Sequence, residues 1–501
     1  MNLKVRFLDI STEPLVLMSG EDALKIGGKD NDRVRVEGKK PVIALLNVSD
    51  FVDSGEAVLS SNLKETVRAS DGDELNIIYT SSPESVRSIR KKMDKEKLSK
   101  DEIHSIVEDI LENKLSKIEI SAWLTALYIN GMDIEEIANF AQAMVDTGER
   151  VEFDRTPVYD FHSMGGVPGN KITPIVVSIV ASAGLMLPKT SSRAISSACG
   201  TSDFVETFCD VEMDAETLKR ISEEVGGVFA WGGAMNLAPV DDMVIKVEHP
   251  LGINPRAQML ASIISKKLAI GATHLVIDIP TGAGTKVPTI EVARAYARDF
   301  MDLGEKLNIH IECAITYADQ PVGNAIGPKL EARECIRILE GEKHPSSVIE
   351  KACDLAGIIL EMGGFVNGSD KALEILESGA AMKKFREIVA AQKGNYDISS
   401  KDLVPGEFTA EVVSAKAGYV HSLSNKDLVS IAVAAGSPSD KGAGILLMKK
   451  KGQRVEKGDV LFQIYGDSKA KVERAKELAV KYKPIDIEGM LLKRITAPRT
   501  R

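Results

Sequence analysis

Residues able to bind anions are concentrated in four short segments, and the first covers residues 160–171. It reads Asp-Phe-His-Ser-Met-Gly-Gly-Val-Pro-Gly-Asn-Lys and continues from the short strand-like stretch 157–161. Glycines between a strand and a helix let backbone amides approach an anion, and the helix N-terminus adds favourable dipole charge. His162 and Ser163 can donate side-chain hydrogen bonds. The segment predicts an anion site, with an ordinary tight turn and a satisfied histidine as the alternative.

The second segment, residues 190–201, combines several hydroxyl groups with Arg193 between a strand and a predicted helix. Hydroxyls and a guanidinium fork suit phosphate oxygens. A polar loop whose hydroxyls bond to the local backbone is an equally good interpretation.

The third segment begins at Asn254 and includes Ser262 and Lys266. Their i, i+4 spacing puts Ser262 and Lys266 on one face of a helix. Together they could hold a polar base or an acidic ligand group, although many solvated helix faces show the same spacing.

The fourth segment, residues 281–286, reads Thr-Gly-Ala-Gly-Thr-Lys and follows the predicted strand 274–280. Pro288 indicates a helix start just beyond it. The carboxyl end of a strand in an α/β sheet is where ligands bind, and a mobile surface turn is the alternative. Three such turns carrying hydroxyls, glycines or cations fit a site that holds more than one phosphate.

Metal and nucleophile-triad sites are not indicated. The sequence has no HExxH, CxxC or GxSxG spacing and no Walker A motif. Five other histidines are expected to be structural or surface residues, namely His104, His274, His310, His344 and His421.

Composition limits the class of protein further. The chain has 501 residues, 44% hydrophobic and 27% charged, with a formal net charge of -10. That charge argues against nucleic acid or an anionic membrane as the main partner. Five isolated cysteines indicate a reducing compartment, and neither a signal peptide nor a membrane span is expected, so we expect a cytoplasmic location.

The elements that must position these segments follow from local patterning. Short strands separated by Gly, Asp and Asn over residues 1–79 predict a small β-barrel. Alternating strands and helices from about residue 153 predict an α/β sheet with much parallel pairing. Residues 406–501 predict strands with one helix at about 467–482. Helix starts are predicted by three capping boxes, namely Ser99 with Glu102, Ser116 with Glu119, and Asp133 with Glu136.

The ordered segments HSMGGVPGNK, SSRAISSACGTSD, LASIISKK and AGILLMKKKGQRVEKGDVL together resemble the thymidine phosphorylase family over roughly residues 90–501. Pyrimidine-cleaving members show K-H-S-T-G-G-V-G-D at the first segment. Here Phe161 replaces the lysine, Met164 replaces the threonine, and the turn reads VPGNK. These departures and the added β-rich domain resemble the archaeal AMP phosphorylase branch.

The resemblance implies an α/β fold in which a helical domain faces a mixed α/β domain across a cleft. It implies an N-terminal β-rich, barrel-like domain with its linker at 1–84 and a helical domain at 85–152 plus 233–270. The α/β phosphate-binding domain would be 153–232 plus 271–405, with a C-terminal α+β portion at 406–501 packed on it. A homodimer, or a larger homo-oligomer formed through the N-terminal domain, is implied.

The reaction implied is phosphorolysis of AMP to adenine and ribose 1,5-bisphosphate, with CMP and UMP as further candidates. No cofactor or metal is implied, and inorganic phosphate is the co-substrate. Matched positions assign substrate contacts to Gly166, Ser192, Arg193, Ala194, Ile195, Ser196, Ser197, Thr201, Ser262 and Lys286. Weaker candidates are His162, Ser163, Ser191 and Lys266.

Asn254 departs from the branch, which has Asp at this position, within I-D-P, as the proton donor. An amide can donate a hydrogen bond to a purine nitrogen but cannot deliver a proton. General acid catalysis is worth about 10²–10⁴-fold, so Asn254 indicates a slow natural variant, a different proton route or an engineered substitution that traps the substrate.

The hypothesis for the two anions assigns the attacking phosphate to Ser163, Gly166, Ser191 and Thr201. Arg193 and Lys286 are the candidates for the 5′-phosphate. The alternatives are a pyrimidine-nucleoside phosphorylase, a magnesium-dependent phosphoribosyltransferase, and a nucleotide-binding or assembly protein without turnover.

Overall fold

The computed structural model describes residues 1–10, 14–194, 197–491 and 493–495. The chain forms two compact units, which are residues 1–148 with 238–265, and residues 149–237 with 266–501. Among the helices of the described ranges, none is both long and apolar enough to span a bilayer.

Six strands at the N-terminus close into a barrel in the order β1-β5-β2-β4-β3-β6. Side chains alternate between a buried interior and the outside, as in the buried Val34 and Val36 of β3. The predicted barrel is confirmed, and two of its strands, β2 and β5, were not predicted. The elements are β1 Asn2–Leu8, β2 Leu15–Met18, α1 Gly20–Ile26, β3 Arg33–Glu37, β4 Val42–Val48, β5 Glu56–Ser60, α2 Lys64–Val67 and β6 Glu74–Thr80.

Four helices follow the barrel, and the predicted capping boxes begin three of them. In each box the N-cap side chain accepts from a backbone amide while the glutamate three residues on accepts from the N-cap amide. The helices are α3 Ser85–Met93, α4 Lys100–Leu111, α5 Lys117–Asn130 and α6 Ile134–Asp146.

The α/β part begins with three strands and the helices between them. Strands β8 and β9 pair in parallel, and helix α7 is buried along its length. The elements are β7 Tyr159–Ser163, α7 Thr173–Ser182, β8 Leu187–Ser191, α8 Thr201–Val205, α9 Ala215–Val225 and β9 Gly227–Trp231.

Two helices precede the central strand of a three-stranded parallel sheet of order β11-β10-β7. Because its strands are parallel, β7 and β10 end at the same edge of the sheet. The elements are α10 Pro239–Leu251, α11 Arg256–Ala269, β10 His274–Thr281, α12 Ile290–Leu307 and β11 His310–Tyr317.

Within the described residues, the remainder combines six α-helices with two antiparallel sheets, of orders β12-β15-β17-β13 and β16-β14-β18. Strand β12 comes from the α/β part of the chain and pairs with β15, so the C-terminal sheet includes α/β residues. The predicted C-terminal helix is confirmed as α18, whereas α17 in the same part of the chain was not predicted. The elements are β12 Ala325–Ile326, α13 Pro328–Leu339, α14 Ser346–Met362, α15 Gly368–Glu377, α16 Ala380–Ala391, β13 Phe408–Val413, β14 Gly418–Leu423, α17 Asn425–Ala434, β15 Gly444–Leu447, β16 Arg454–Val455, β17 Val460–Gly466, α18 Lys469–Tyr482 and β18 Ile485–Glu488.

Candidate active site

Ser163 is the last residue of β7, and its hydroxyl lies inside a turn. Its Oγ accepts from the Nδ2 of Asn170 at 3.0 Å and from the amide of Gly165 at 3.4 Å. The Nδ2 of Asn170 also lies 3.5 Å from Asp278 Oδ2. Two hydrogen bonds therefore hold the Ser163 oxygen at the carboxyl edge of the sheet.

Asp278 on β10 is fully buried beneath this turn. Its carboxylate pairs with the Nζ of Lys351 at 2.9 Å and accepts from Thr316 Oγ1 at 2.5 Å. Breaking such a buried pair costs about 3–5 kcal/mol, because one charge is left uncompensated. These contacts hold the carboxyl edge of the sheet rigidly from below. The prediction missed Asp278, although a carboxylate inside the apolar strand His-Leu-Val-Ile-Asp-Ile-Pro was a signal.

Gly166 brings the first and fourth segments together. Gly165 and Gly166 both have positive φ, of 76° and 86°, which side chains rarely tolerate. A Cβ on Gly166 would lie 2.9 Å from the backbone nitrogen of Lys286. The exposed Lys286 is therefore held next to the glycine turn.

The turn that carries Lys286 is itself a defined structure. Thr285 Oγ1 lies 2.8 Å from the carbonyl oxygens of both Gly282 and Val287, so its single proton is donated to one of them or shared between them. The amide of Ala283 donates to Asp319 Oδ1 at 2.8 Å. The fourth segment is thus hydrogen-bonded internally rather than a plain surface turn.

The second segment is organised by Asp203. Its Oδ2 accepts from the amides of Ala194 and Gly200 at 2.7 and 2.8 Å, which closes the loop at its neck. Ser192 and Ser197 are exposed on this loop. Ser191 and Thr201 are half-buried at its two ends. Ile195 and Ser196 lie outside the described residues.

Arg193 already has strong partners within this segment. Its guanidinium pairs bidentately with Glu206 at 2.8 and 2.6 Å and reaches Glu212 at 2.9 Å. It also stacks 4.7 Å from the centre of the Trp231 ring. The hydrogen bond to Glu206, above all, raises the pKa of Arg193. Its charge is thus largely neutralised by carboxylates.

His162 lies among buried lysines near the same edge. Burial, and then the charges of Lys267 and Lys189, lower the pKa of His162 well below its ordinary value. Lys267 Nζ pairs with the buried Asp160 at 2.6 Å. Burial lowers the pKa of Lys189 to about 7. The imidazole is therefore neutral at pH 7, and it can donate one hydrogen bond and accept another.

The third segment lies in the compact unit formed by residues 1–148 and 238–265, except for Lys266 at its end, which belongs to the second unit. Ser262 Oγ donates to Asp241 Oδ2 at 2.8 Å, and Gln258 Nε2 donates to Asp241 Oδ1 at 3.0 Å. Asp241 is fully buried and orients both side chains. Asn254 is exposed, with its Nδ2 3.9 Å from the sulfur of Met259. Lys266 is half-buried one turn beyond Ser262 on α11.

Three domain families match separate parts of this chain, and several known proteins are similar to it along almost its full length. Residues 86–148 match the helical bundle domain of a glycosyl transferase family, and residues 155–382 match its a/b domain. Residues 419–486 match the pyrimidine nucleoside phosphorylase C-terminal domain. The AMP phosphorylase of Thermococcus kodakarensis is 49% identical over 500 residues, which is 99% of either chain.

The chain belongs to the AMP phosphorylase family. The AMP phosphorylase of Methanococcoides burtonii is 46% identical over 99% of both chains. AMP phosphorylase 1 of Archaeoglobus fulgidus is 47% identical over 95% of both. Anthranilate phosphoribosyltransferase from Thermus thermophilus has a TM-score of 0.51 and 21% identity, over 61% of this chain and 99% of that one. That likeness concerns the fold alone.

Within this AMP phosphorylase family member, the structure brings together two of the predicted segments. Gly166 packs against Lys286. Ser163 ends β7, which pairs with β10, and Lys286 lies in the turn that follows β10. Asn254 and Ser262 lie in the other compact unit. The roles of these residues remain predictions.

Proposed function

We propose that this chain is a pentosyltransferase that catalyses the phosphorolysis of AMP to adenine and ribose 1,5-bisphosphate. The observation that carries this proposal is 49% identity to an AMP phosphorylase along essentially the whole of both chains. The same relatives do not favour a pyrimidine-nucleoside phosphorylase. CMP and UMP remain candidate substrates.

The proposed step forms one bond and breaks one. An oxygen of inorganic phosphate attacks C1′ from the face opposite the base, and the C1′–N9 bond breaks with its electron pair going to adenine. Positive charge grows on the ribose in the transition state, as in glycoside cleavage. The protein must therefore position two anions and stabilise the leaving base.

We assign the attacking phosphate to Ser163, Gly166, Ser191 and Thr201. The support is that Ser163 ends a parallel strand at the carboxyl edge of the sheet and that Gly166 follows it in a turn with two positive-φ glycines. Of the remaining members of the second segment, those other than Arg193 are assigned to the nucleotide, namely Ser192, Ala194, Ile195, Ser196 and Ser197.

For the 5′-phosphate the geometry favours Lys286 over Arg193. Lys286 is exposed beside the glycine turn, whereas Arg193 pairs with Glu206 and Glu212. Moving Arg193 away from these carboxylates would break its bidentate, charge-assisted hydrogen bonds to the partly buried Glu206. The more exposed Glu212 adds only about 0.2–1 kcal/mol. We therefore give Arg193 the task of holding the second segment in shape.

The base is assigned to Ser262 and Asn254, with His162 and Lys266 as weaker candidates. The buried Asp241 that orients Ser262 is the support for Ser262. Asn254 can donate to a purine nitrogen, so the proton for adenine must come from water or another group.

We further propose that the enzyme is cytoplasmic, needs phosphate but no cofactor, and forms a homodimer or a larger homo-oligomer.

The experiment measures the release of adenine from AMP with and without phosphate, after chelation of metals, with adenosine and uridine tested in parallel. Phosphate-dependent release that prefers AMP supports the proposal. Preference for a nucleoside would refute the substrate, and dependence on magnesium would favour a phosphoribosyltransferase.

A further inference from the structure

Lys171 ends the glycine-rich turn with a fully buried side chain. Its Nζ lies 2.6 Å from Glu334 Oε2 and donates to the carbonyl of Val322 at 2.9 Å. A buried ammonium is costly unless it is paired and hydrogen-bonded. This lysine therefore ties the glycine turn to the segment 321–325.

Segment 321–325 packs directly beneath the turn. The amide of Val322 donates to the carbonyl of Pro168 at 3.0 Å. A Cβ on Gly169 would lie 2.6 Å from the Val322 oxygen, so the two backbones touch with no room for a side chain. The carboxylate of Glu334 also accepts from the amide of Asn324 at 3.1 Å. A displacement of this segment must therefore move the glycine turn.

The C-terminal part reaches the same segment through Lys450. Its Nζ donates to the carbonyls of Pro321 and Gly323 at 2.5 and 2.7 Å. Burial, and then the charge of Lys171, lower the pKa of Lys450 to about 7. A second, half-buried lysine thus lies against this segment. The segment continues into β12, which pairs with β15 of the C-terminal part.

We propose that Lys450 is a positioning residue through which the C-terminal part fixes segment 321–325, and hence the glycine turn that binds phosphate. The inference rests on the proposed function, because it assigns phosphate to the turn 164–171. A purely structural Lys450 would lower stability without changing phosphate affinity selectively. The structure thus gives the C-terminal part an influence on the co-substrate site.

The test compares Lys450→Met with Lys449→Met in the full-length protein. Lys449 is the matched control, because its ion pair with Asp459 at 3.0 Å stays within the C-terminal part. Losing hydrogen bonds from a charged group corresponds to roughly a 10- to 150-fold effect. Because Lys450 acts through the segment 321–325, we expect Lys450→Met to transmit part of this and to raise the KM for phosphate at least about 5-fold. The KM for AMP and the kcat should change less than about 3-fold.

Hydrogen–deuterium exchange supplies a readout that does not need activity. Amides of 164–171 and 322–325 should exchange faster in Lys450→Met than in Lys449→Met. If Lys450→Met does not fold, Lys450→Gln retains one donor group and should show the same effects in weaker form. If wild type releases no adenine, the proposed function fails, while the exchange data still test the connection. An unchanged phosphate KM in an active Lys450 variant, or unchanged exchange in both segments, overturns the inference.

Discussion

An alanine at position 166 would place a methyl group 2.9 Å from the backbone nitrogen of Lys286. Two separate penalties follow. Holding a non-glycine residue at φ 86° costs about 1–2 kcal/mol of stability. Relieving the contact requires the turns at 164–170 and 281–286 to move apart by roughly half an ångström. Misplacement by about 1 Å costs about 10²-fold in rate. We therefore expect the second penalty to appear as an approximately 10-fold loss of kcat/KM for phosphate.

Gly165→Ala separates the two penalties. Gly165 has φ 76°, but a methyl group added to it would meet no atom of the described residues within 4 Å, its chain neighbours aside. Both variants should lose similar stability, measured as the midpoint of thermal unfolding. Initial rates of adenine release, with phosphate varied at saturating AMP, should fall much further for Gly166→Ala. Equal losses of kcat/KM in the two variants would refute the claim that contact between these turns shapes the phosphate site.

Three further predictions address single residues. Asn254→Asp should raise kcat for AMP by about 10²–10⁴-fold if position 254 supplies the proton, and an unchanged kcat would exclude that role. Lys286→Met should reduce kcat/KM for AMP at least about 10-fold more than kcat/KM for adenosine. Arg193→Met should reduce the two values equally and should lower the unfolding temperature. The opposite pattern would assign the 5′-phosphate to Arg193. Burial raises the pKa of Glu331 from 4.5 to about 7, so the folded state retains a proton that the unfolded chain releases, and stability falls as pH rises between these values. A glutamine at this position cannot ionise. In urea unfolding, the free energy of unfolding of Glu331→Gln relative to wild type should therefore increase by roughly 1–3 kcal/mol from pH 5 to pH 8. A difference that does not change with pH would contradict the raised pKa.

Local signals explain why much of the architecture could be predicted. Ser99, Ser116 and Asp133 each have a glutamate three residues on, and all three begin helices as capping boxes. These contacts span one helical turn, so their spacing is visible in the sequence. The strand before Thr281 was likewise predicted from its apolar run.

Long-range pairing explains what the sequence could not reveal. Arg193 looked like an anion ligand, and only the fold brings Glu206 and Glu212 to it. The partner of Lys171 is Glu334, 163 positions away. A lysine in a glycine turn looks the same whether it faces phosphate or is buried against a carboxylate. Spacing alone cannot distinguish these cases, because the outcome depends on tertiary contacts.

Phosphorolysis itself is tested most directly by following the label from phosphate enriched with ¹⁸O in all four positions. Incubation with AMP should give adenine and a ribose bisphosphate whose C1 phosphate retains every labelled oxygen, because a phosphate oxygen forms the new bond to C1′. The product should not form when phosphate is omitted. Formation of ribose 5-phosphate with an oxygen from water, or release of adenine without phosphate, would contradict the account.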